Sequence, residues 1–221
     1  MPPRDTKGNG GTSPQPKLDK LRSLERICFM NGFPPVGSAR PRLLILGSFP
    51  SAASLEKGQY YGNMRNHFWE VLGIVLDAPF PEEYRARSRG AAAPGVLALL
   101  KRHGIAVWDV LASCERAGSL DKDIRNGRPN PLIDYVLDHP SIERIALNGG
   151  RAASSFIQHF GHGQMKRDLP IGSEIEWRPP ELKGRTVLIA RLPSTSPIPT
   201  QECKTAKEKA QAWMPFLRPA I

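Results

Sequence analysis

Asparagine, tyrosine and hydroxyl side chains are concentrated in three segments, LGSFPSAASLEKGQYYGNMRNHFW (46–69), LNGGRAA (147–153) and LPSTSPIP (192–199). A side-chain amide can donate a hydrogen bond to a carbonyl oxygen and accept one from a neighbouring N–H group. Tyrosine combines a flat apolar ring with a polar hydroxyl. Hydroxyl and backbone N–H groups suit phosphate contacts. The three segments therefore hold residue types for stacking, hydrogen bonding and phosphate binding.

Strands and helices must bring these segments together. Apolar runs predict strands at 42–46, 105–109, 142–147 and 185–192. Apolar residues at helical spacing predict helices at 66–76, 95–102, 131–137, 151–160 and 205–217. This alternation predicts an α/β fold, a single domain with a central four-stranded, mainly parallel sheet flanked by helices. Ligands of such sheets bind at the carboxyl ends of the strands, where the three segments and Asp109 lie.

The charge of the chain points to a polyanionic partner. Its 221 residues include 31 Lys+Arg and 21 Asp+Glu, a formal charge of +10 at pH 7. Residues 1–24 are rich in Pro, Gly and polar side chains and predict a disordered basic tail before a domain at 25–221. The first 25 residues hold five basic and three acidic side chains, so an excess of +8 belongs to the rest. A basic folded body favours a nucleic-acid partner.

The same composition predicts neither a membrane segment nor a cofactor. No apolar run approaches the roughly 20 residues that a membrane span needs. Cys28, Cys114 and Cys203 are more than 80 residues apart, and an iron–sulfur cluster takes four cysteines. His159 and His162 have no further ligand nearby in the sequence that would complete a zinc site. We therefore expect no metal, and a reduced cytoplasmic setting close to the nucleoid.

Three motifs in a fixed order carry a resemblance to a known family. A GSxPS turn (47–51) is followed by QYY and N-x-F-W, then by CERAGSLDKDI (114–124), and finally by LPSTSP (192–197). This set resembles the uracil-DNA glycosylase superfamily and, within it, the hypoxanthine-DNA glycosylase branch. The resemblance covers roughly residues 33 to 200. It implies a monofunctional, monomeric enzyme that removes deaminated bases, hypoxanthine first, from double- or single-stranded DNA by base flipping and water-mediated cleavage.

The resemblance assigns the base pocket to Tyr61, Asn148 and Phe49. Tyr61 lies fourteen residues after Gly47, the spacing of the aromatic residue that stacks on the flipped base; the alternative is a tyrosine packed in the core. An Asn148 amide fixed above the sheet would match O6 and N1–H of hypoxanthine, or O4 and N3–H of uracil. The alternative for Asn148 is a helix N-cap. Tyr60 is expected to pack internally.

Asn66 of the N-x-F-W segment is the predicted catalytic residue. Most of the superfamily carries its water-activating Asp or Asn where this chain has Phe49, and the hypoxanthine branch uses the later Asn instead. A neutral amide suffices because an oxocarbenium-like transition state needs an oriented water more than a strong base. A capping or loop role is the alternative, and Asn63 is a rival.

The 192–199 segment resembles the loop that grips phosphates and enters the space left by the base. The residues predicted to contact the DNA backbone or to wedge the duplex are Ser51, Ser194, Thr195, Ser196, Pro197 and Ile198. Arg65, Arg116 and Arg151 are further candidates for backbone contacts. Leu192 stands where many relatives have His or Asn. With Phe49 and Met64 it keeps open two alternatives, a uracil or mixed-mismatch glycosylase and an inactive DNA-binding relative.

Overall fold

The computed structural model describes residues 29–78, 94–116, 124–161, 163, 165, 169–197 and 203–221. The tail predicted at 1–24, the wedge candidate Ile198 and Asp121 of the CERAGSLDKDI segment lie outside the described residues.

Nine strands form two sheets in the described residues. The strands are β1 (Phe29–Asn31), β2 (Val36–Gly37), β3 (Leu43–Gly47), β4 (Ile105–Asp109), β5 (Leu111–Arg116), β6 (Ile124–Pro129), β7 (Arg144–Asn148), β8 (Glu174–Trp177) and β9 (Val187–Leu192). The main sheet has six strands in the order β2-β4-β3-β7-β9-β8. Its four central strands, β4, β3, β7 and β9, run parallel, while β2 and β8 pair antiparallel at its two edges.

The prediction of an α/β fold is confirmed, but the main sheet has six strands where four were predicted. The four predicted strands are the parallel strands β3, β4, β7 and β9. They could be predicted because strands covered on both faces have continuous apolar runs. Two strands were not predicted. Strand β2 has only two residues, and the sequence EIEW of β8 alternates exposed and less exposed side chains. Few of their side chains are buried, so neither strand shows a continuous apolar run.

A separate three-stranded antiparallel sheet, in the order β1-β5-β6, continues from the carboxyl end of β4. Only Val110 separates β4 from β5, so the chain passes directly from one sheet into the other. The CERAGSLDKDI segment spans the end of β5 and the first residue of β6, and its residues 117–123 are not described.

The helices flank the main sheet, and most of them were predicted from the sequence. They are α1 (Ala52–Lys57), α2 (Phe68–Val75), α3 (Pro94–Arg102), α4 (Leu132–Asp138), α5 (Gly150–Phe160) and α6 (Ala206–Leu217). Five begin and end within two residues of their predicted bounds, and α1 was not predicted. A capping box between Thr205 and Glu208 fixes the start of α6. None of the described helices is long and apolar enough to cross a membrane.

Candidate functional site

The carboxyl ends of β3, β4 and β7 bring Gly47, Asp109 and Asn148 to one edge of the main sheet. Gly47 pairs with Asp109 across the parallel strands. A methyl group on Gly47 would overlap Asp109 Oδ1 and lie 3.2 Å from Tyr61 Oη. Glycine is therefore required here because the buried carboxylate and the tyrosine hydroxyl both approach its Cα.

Tyr61 is held rigidly over this edge. Its ring stacks on Phe68, the first residue of α2, with centroids 3.6 Å apart and planes 9° apart. The backbone of Tyr61 has a φ of +53°, in the left-handed region that non-glycine residues rarely adopt. Ser54 Oγ accepts from the Gly62 N–H at 3.1 Å, and Lys57 Nζ donates to the Gly62 carbonyl at 2.7 Å. Bonds from α1 thus fix the turn that orients the ring.

Asn148 connects Tyr61 to the loop at 193–197. Its Oδ1 accepts from the Thr195 N–H at 2.9 Å, while its Nδ2 donates to Thr195 Oγ1 at 2.9 Å and to Tyr61 Oη at 3.1 Å. A backbone N–H can only donate, so it fixes which amide atom is the oxygen. The helix-cap alternative is wrong, because Gly149 is the N-cap of α5 and no side chain caps that helix end.

Thr195 requires a correction. It was predicted to contact the DNA backbone, but its exposed fraction is 0%. Its N–H and hydroxyl both bond Asn148, and its carbonyl accepts from the His67 N–H at 3.0 Å. Thr195 therefore positions Asn148 from the interior and joins the 193–197 loop to the start of α2.

Two side chains of helix α6 donate hydrogen bonds to the backbone of the same loop. Trp213 Nε1 donates to the Pro193 carbonyl at 2.9 Å, and Lys209 Nζ donates to the Ser196 carbonyl at 2.8 Å. Lys209 Nζ also lies 3.3 Å from His67 Nδ1. Lys209 is only 1% exposed, and burial lowers its pKa although the nearby Cys203 opposes this shift. Lys209 was not predicted as a site residue. Its spacing could have indicated an interior role, because it lies four residues before Trp213 and therefore on the same, inward-packing face of the helix.

Ser194, Ser196 and Pro197 of the same loop are half-buried. Ser194 Oγ accepts from the Ser196 N–H at 3.2 Å, and Pro197 ends the described part of this loop. A Cβ on Gly149, whose φ is +91°, would lie 2.7 Å from Ser194 Cβ. The loop therefore packs directly on the turn after β7. Ser51, the phosphate candidate of the first segment, is the N-cap of α1, with its Oγ accepting from the Ser54 N–H at 3.2 Å.

Asn66 lies just before α2, and its neighbour His67 donates its N–H to the Thr195 carbonyl of that network. Its Oδ1 accepts from the Phe68 N–H at 2.9 Å, so the oxygen also stabilises the start of the helix. Within the described ranges no atom accepts a hydrogen bond from its Nδ2. Asn63, the rival, accepts from the Arg65 N–H at 3.0 Å through its own Oδ1. The two asparagines therefore both have local structural bonds.

Phe49 and Arg116 form a buried pair behind the first segment. The Arg116 guanidinium carbon lies 5.6 Å from the centre of the Phe49 ring, and its Nη1 donates to the Pro50 carbonyl at 2.9 Å. Arg116 is only 2% exposed, so its prediction as a DNA-backbone contact is wrong. Tyr60 is buried as predicted, donates to the Phe33 and Pro34 carbonyls, and has its pKa raised by burial.

No group of three or more His, Cys, Asp or Glu residues that could hold a metal ion occurs in the part of the chain that the structure describes. The arrangement is instead one of neutral donors and acceptors around an aromatic ring, with the carboxylate of Asp109 beside it. Such a site can stack and hydrogen-bond a planar heterocycle.

Comparisons with known proteins agree on one family. Residues 34–217 match the sequence model of the Uracil DNA glycosylase superfamily. A Hypoxanthine DNA glycosylase of Methanosarcina barkeri is 33% identical over 122 residues, which are 55% of this chain and 72% of that protein. A Hypoxanthine DNA glycosylase of Methanosarcina acetivorans is 32% identical over 142 residues, or 64% of this chain and 85% of that one.

The fold agrees with a solved structure as well. The solution NMR structure of a candidate uracil DNA glycosylase from Methanosarcina acetivorans has a TM-score of 0.61 at 26% identity. The likeness covers 87% of this chain and 99% of that one. With a family match over most of its length, a shared fold and relatives of the same kind, this chain belongs to the uracil DNA glycosylase superfamily.

Proposed function

We propose that this protein is a monofunctional DNA glycosylase that flips a deaminated base, hypoxanthine first, into the site of Tyr61, Asn66 and Asn148. Its family and its two hypoxanthine-excising relatives support glycosylase activity. The observation that carries the proposal is the hydrogen-bonded Tyr61–Asn148–Thr195 network at the carboxyl edge of the sheet. The substrate would be DNA, as the family indicates, and the enzyme would extrude the base from its strand.

Tyr61 would stack on the flipped base. Phe68 covers one face of its ring, so an incoming base would extend a stack that the protein has already begun. Phe49 would line the pocket from the first segment, where Arg116 supports it from behind. Because these rings are packed before the base arrives, little side-chain freedom would be lost on binding.

Asn148 would read the edge of the base. The backbone N–H of Thr195 fixes the amide orientation, so Nδ2 faces the site as a donor. Base entry would exchange the Asn148–Tyr61 bond for a bond to O6 and keep both bonds to Thr195. Oδ1 has a second lone pair for N1–H. Adenine presents the inverse pattern, an amino group beside a bare ring nitrogen, and would leave both groups unmatched.

Asn66 would orient the attacking water. Its Nδ2 has no acceptor within the described residues, whereas its Oδ1 is fixed at the start of α2. Glycosidic cleavage through an oxocarbenium-like transition state needs a placed water and little basicity. Because an amide cannot form a Schiff base, the reaction would end at the abasic site. Ser51, Ser194, Ser196 and Pro197 would contact the DNA around the vacated position.

A single-turnover assay tests this assignment. Wild type, Asn66→Ala and Asn63→Ala are incubated with a duplex that contains one deoxyinosine, and free hypoxanthine is measured. We expect Asn66→Ala to release it at least about 100-fold more slowly, a typical loss for a group that acts at the reacting atoms, and Asn63→Ala to stay within about threefold. Equal rates in wild type and Asn66→Ala would remove Asn66 from catalysis, and no release by wild type would leave a DNA-binding relative.

Uracil is the second candidate base. Its O4 and N3–H present the same pattern to an amide as hypoxanthine does, and a solved structure that resembles this chain is described as a candidate uracil DNA glycosylase. Uracil release faster than hypoxanthine release would favour this substrate.

We also propose that the enzyme works as a monomer in the cytoplasm close to the nucleoid, which sedimentation and fluorescence localisation would test.

A further inference from the structure

The outer face of the β1-β5-β6 sheet carries an aromatic residue and two arginines. Phe29, Glu115 and Arg125 form one cross-strand row. Arg128 pairs with Ser113, two residues from Glu115 on β5 and across a register shift, and its guanidinium carbon lies 5.5 Å from the centre of the Phe29 ring. Phe29 is 48% exposed and both arginines are exposed. The register places Phe29, Glu115 and Arg125 on one face, and the ring contact places Arg128 beside Phe29.

Some surface arginines of this protein are engaged in ion pairs. Among the described residues, the ion pairs join Arg42 to Glu143, Arg144 to Glu174 and Arg178 to Glu176.

Neither Arg125 nor Arg128 belongs to that set. Glu115, the acid that pairs with Arg125 across the strands, accepts from Asn126 Nδ2 at 2.7 Å. The guanidinium groups of β6 are therefore available to an anionic partner, whereas the arginines beside β8 already lie against glutamates.

The face also adjoins the candidate site. Strand β5 begins two residues after Asp109, at the carboxyl edge of the main sheet. Arg151, in the first turn of α5 and three residues after Asn148, donates to the Ile124 carbonyl at the start of β6 at 3.2 Å. A line of exposed arginines therefore leads from the turn after β7, through Arg151, to Arg125 and Arg128.

We propose that the outer face of the β1-β5-β6 sheet binds the sugar–phosphate backbone of the DNA that flanks the flipped nucleotide, through Arg125 and Arg128. This inference rests on the proposed function for the identity of its partner. Arginine forks contact phosphate oxygens bidentately, and the Phe29 ring restricts the Arg128 side chain by its cation–π contact. Phosphate contacts fix register and orientation without reading sequence, so this face supplies affinity and leaves base choice to the pocket.

The test compares two charge-matched double variants. R125S/R128S removes two charges from the sheet. K101S/R102S removes two from the last turn of α3, which leads into the amino end of β4 on the far side of the main sheet from the site. Affinity for a deoxyinosine duplex is measured across a series of salt concentrations. Base release is measured with saturating enzyme in the same preparations.

We expect R125S/R128S to weaken binding about 10-fold or more and to lower the salt slope by about 1.8, since each lost phosphate contact removes about 0.9. Its saturated release rate should stay within about twofold of wild type, and K101S/R102S should leave the salt slope unchanged. R125K/R128K keeps both charges and should retain most of the slope. The unchanged saturated release rate of R125S/R128S excludes misfolding as the cause of its weaker binding.

Equal slopes for the two serine variants and wild type would overturn the proposal, as would a slope lost equally in both. Failure of the proposed function is a separate result. In that case wild type would release no base, while the slope difference between the two variants would persist and the sheet would still be a DNA-binding face.

Discussion

The two edges of the parallel sheet are stabilised in different ways. At the carboxyl edge, the half-buried Asn148 and the buried Thr195 and Lys209 bond to one another or to loop backbone around residues 193–197. At the amino edge, the bonds serve the connections between elements. Arg185 donates to the Val136, His139 and Ile142 carbonyls there.

The amino edge also has an exposed ion pair. Arg42 and Glu143 meet at 3.0 Å, and the Glu143 N–H donates to the Arg42 carbonyl at 2.9 Å. Exposed pairs of this kind contribute little because solvent screens them. The difference indicates that contacts at the amino edge stabilise the connections between elements. The carboxyl edge instead holds a preorganised polar network that a base would enter. Matched substitutions at the two edges should therefore have comparable effects on stability and different effects on activity.

Gly47→Ala should give the largest difference. The new methyl group would displace Asp109 and Tyr61, so we expect hypoxanthine release to fall about 100-fold, equivalent to about 2.7 kcal/mol. Overpacking should also cost about 1–3 kcal/mol of unfolding free energy.

The matched control is Gly104→Ala at the amino edge. Gly104 has a φ of +61°, and its Cβ would meet only atoms at 3.7 Å or farther. It should lose about 1–2 kcal/mol from the left-handed backbone alone and retain its release rate. Denaturant unfolding and single-turnover release measure both variants. Normal release by Gly47→Ala would contradict a role for the close packing of Tyr61 and Asp109 against Gly47.

Asn148→Asp should change base selectivity. A carboxylate can still accept from Thr195 and Tyr61, so the fold should persist, but it cannot donate to O6. We expect release of hypoxanthine to fall about 30-fold, or about 2 kcal/mol, because the donor that matched O6 is lost. Competition between inosine- and adenine-containing duplexes measures this effect, and an unchanged preference would remove Asn148 from base reading.

Thr195→Val should have a smaller effect. Valine fills the same space but leaves one Asn148 N–H without its acceptor, at a cost of about 1–3 kcal/mol in unfolding free energy. We expect about 10-fold slower release because the amide is held less firmly. Ser141→Ala, which removes a 2.9 Å bond to the Pro41 carbonyl at the amino edge, should lose about 1 kcal/mol and no activity. Equal activity losses would contradict the difference between the edges.

Glu208→Gln should have the smallest effect, on the pH dependence of stability. Backbone N–H groups of Thr205 and Lys204 lower the pKa of Glu208, so its contribution is present above the ordinary carboxyl pKa and lost as pH falls through the lowered value. The variant should unfold at a lower temperature than wild type near pH 7 and at the same temperature near pH 2. A difference that persists at low pH would show that the charge is irrelevant to this cap.

The apolar runs predicted the parallel core and the meeting of three loops at its carboxyl edge. Continuous burial gives strands such as Leu43–Gly47 an unambiguous pattern. The edge strand Glu174–Trp177 and the three-stranded sheet were missed because half-exposed strands mix polar and apolar residues.

Residue roles in the site were harder to predict than the fold. Thr195 looked like a phosphate contact because a hydroxyl in a loop is usually exposed, but its partner Asn148 lies 47 residues away in the sequence. Lys209 and Arg116 were assigned no interior role because charged side chains are rarely buried. Such long-range pairings leave no local periodicity, so only the folded chain shows them.

The most direct measurement is base release by wild type from four otherwise identical duplexes that contain one deoxyinosine, deoxyuridine, deoxyxanthosine or deoxyadenosine. We expect hypoxanthine to be released fastest, uracil and xanthine more slowly, and adenine not at all, because the fixed Asn148 amide matches a carbonyl oxygen beside a ring N–H. Release of adenine at a rate comparable to hypoxanthine, or release of no base, would contradict a site built to recognise deaminated bases.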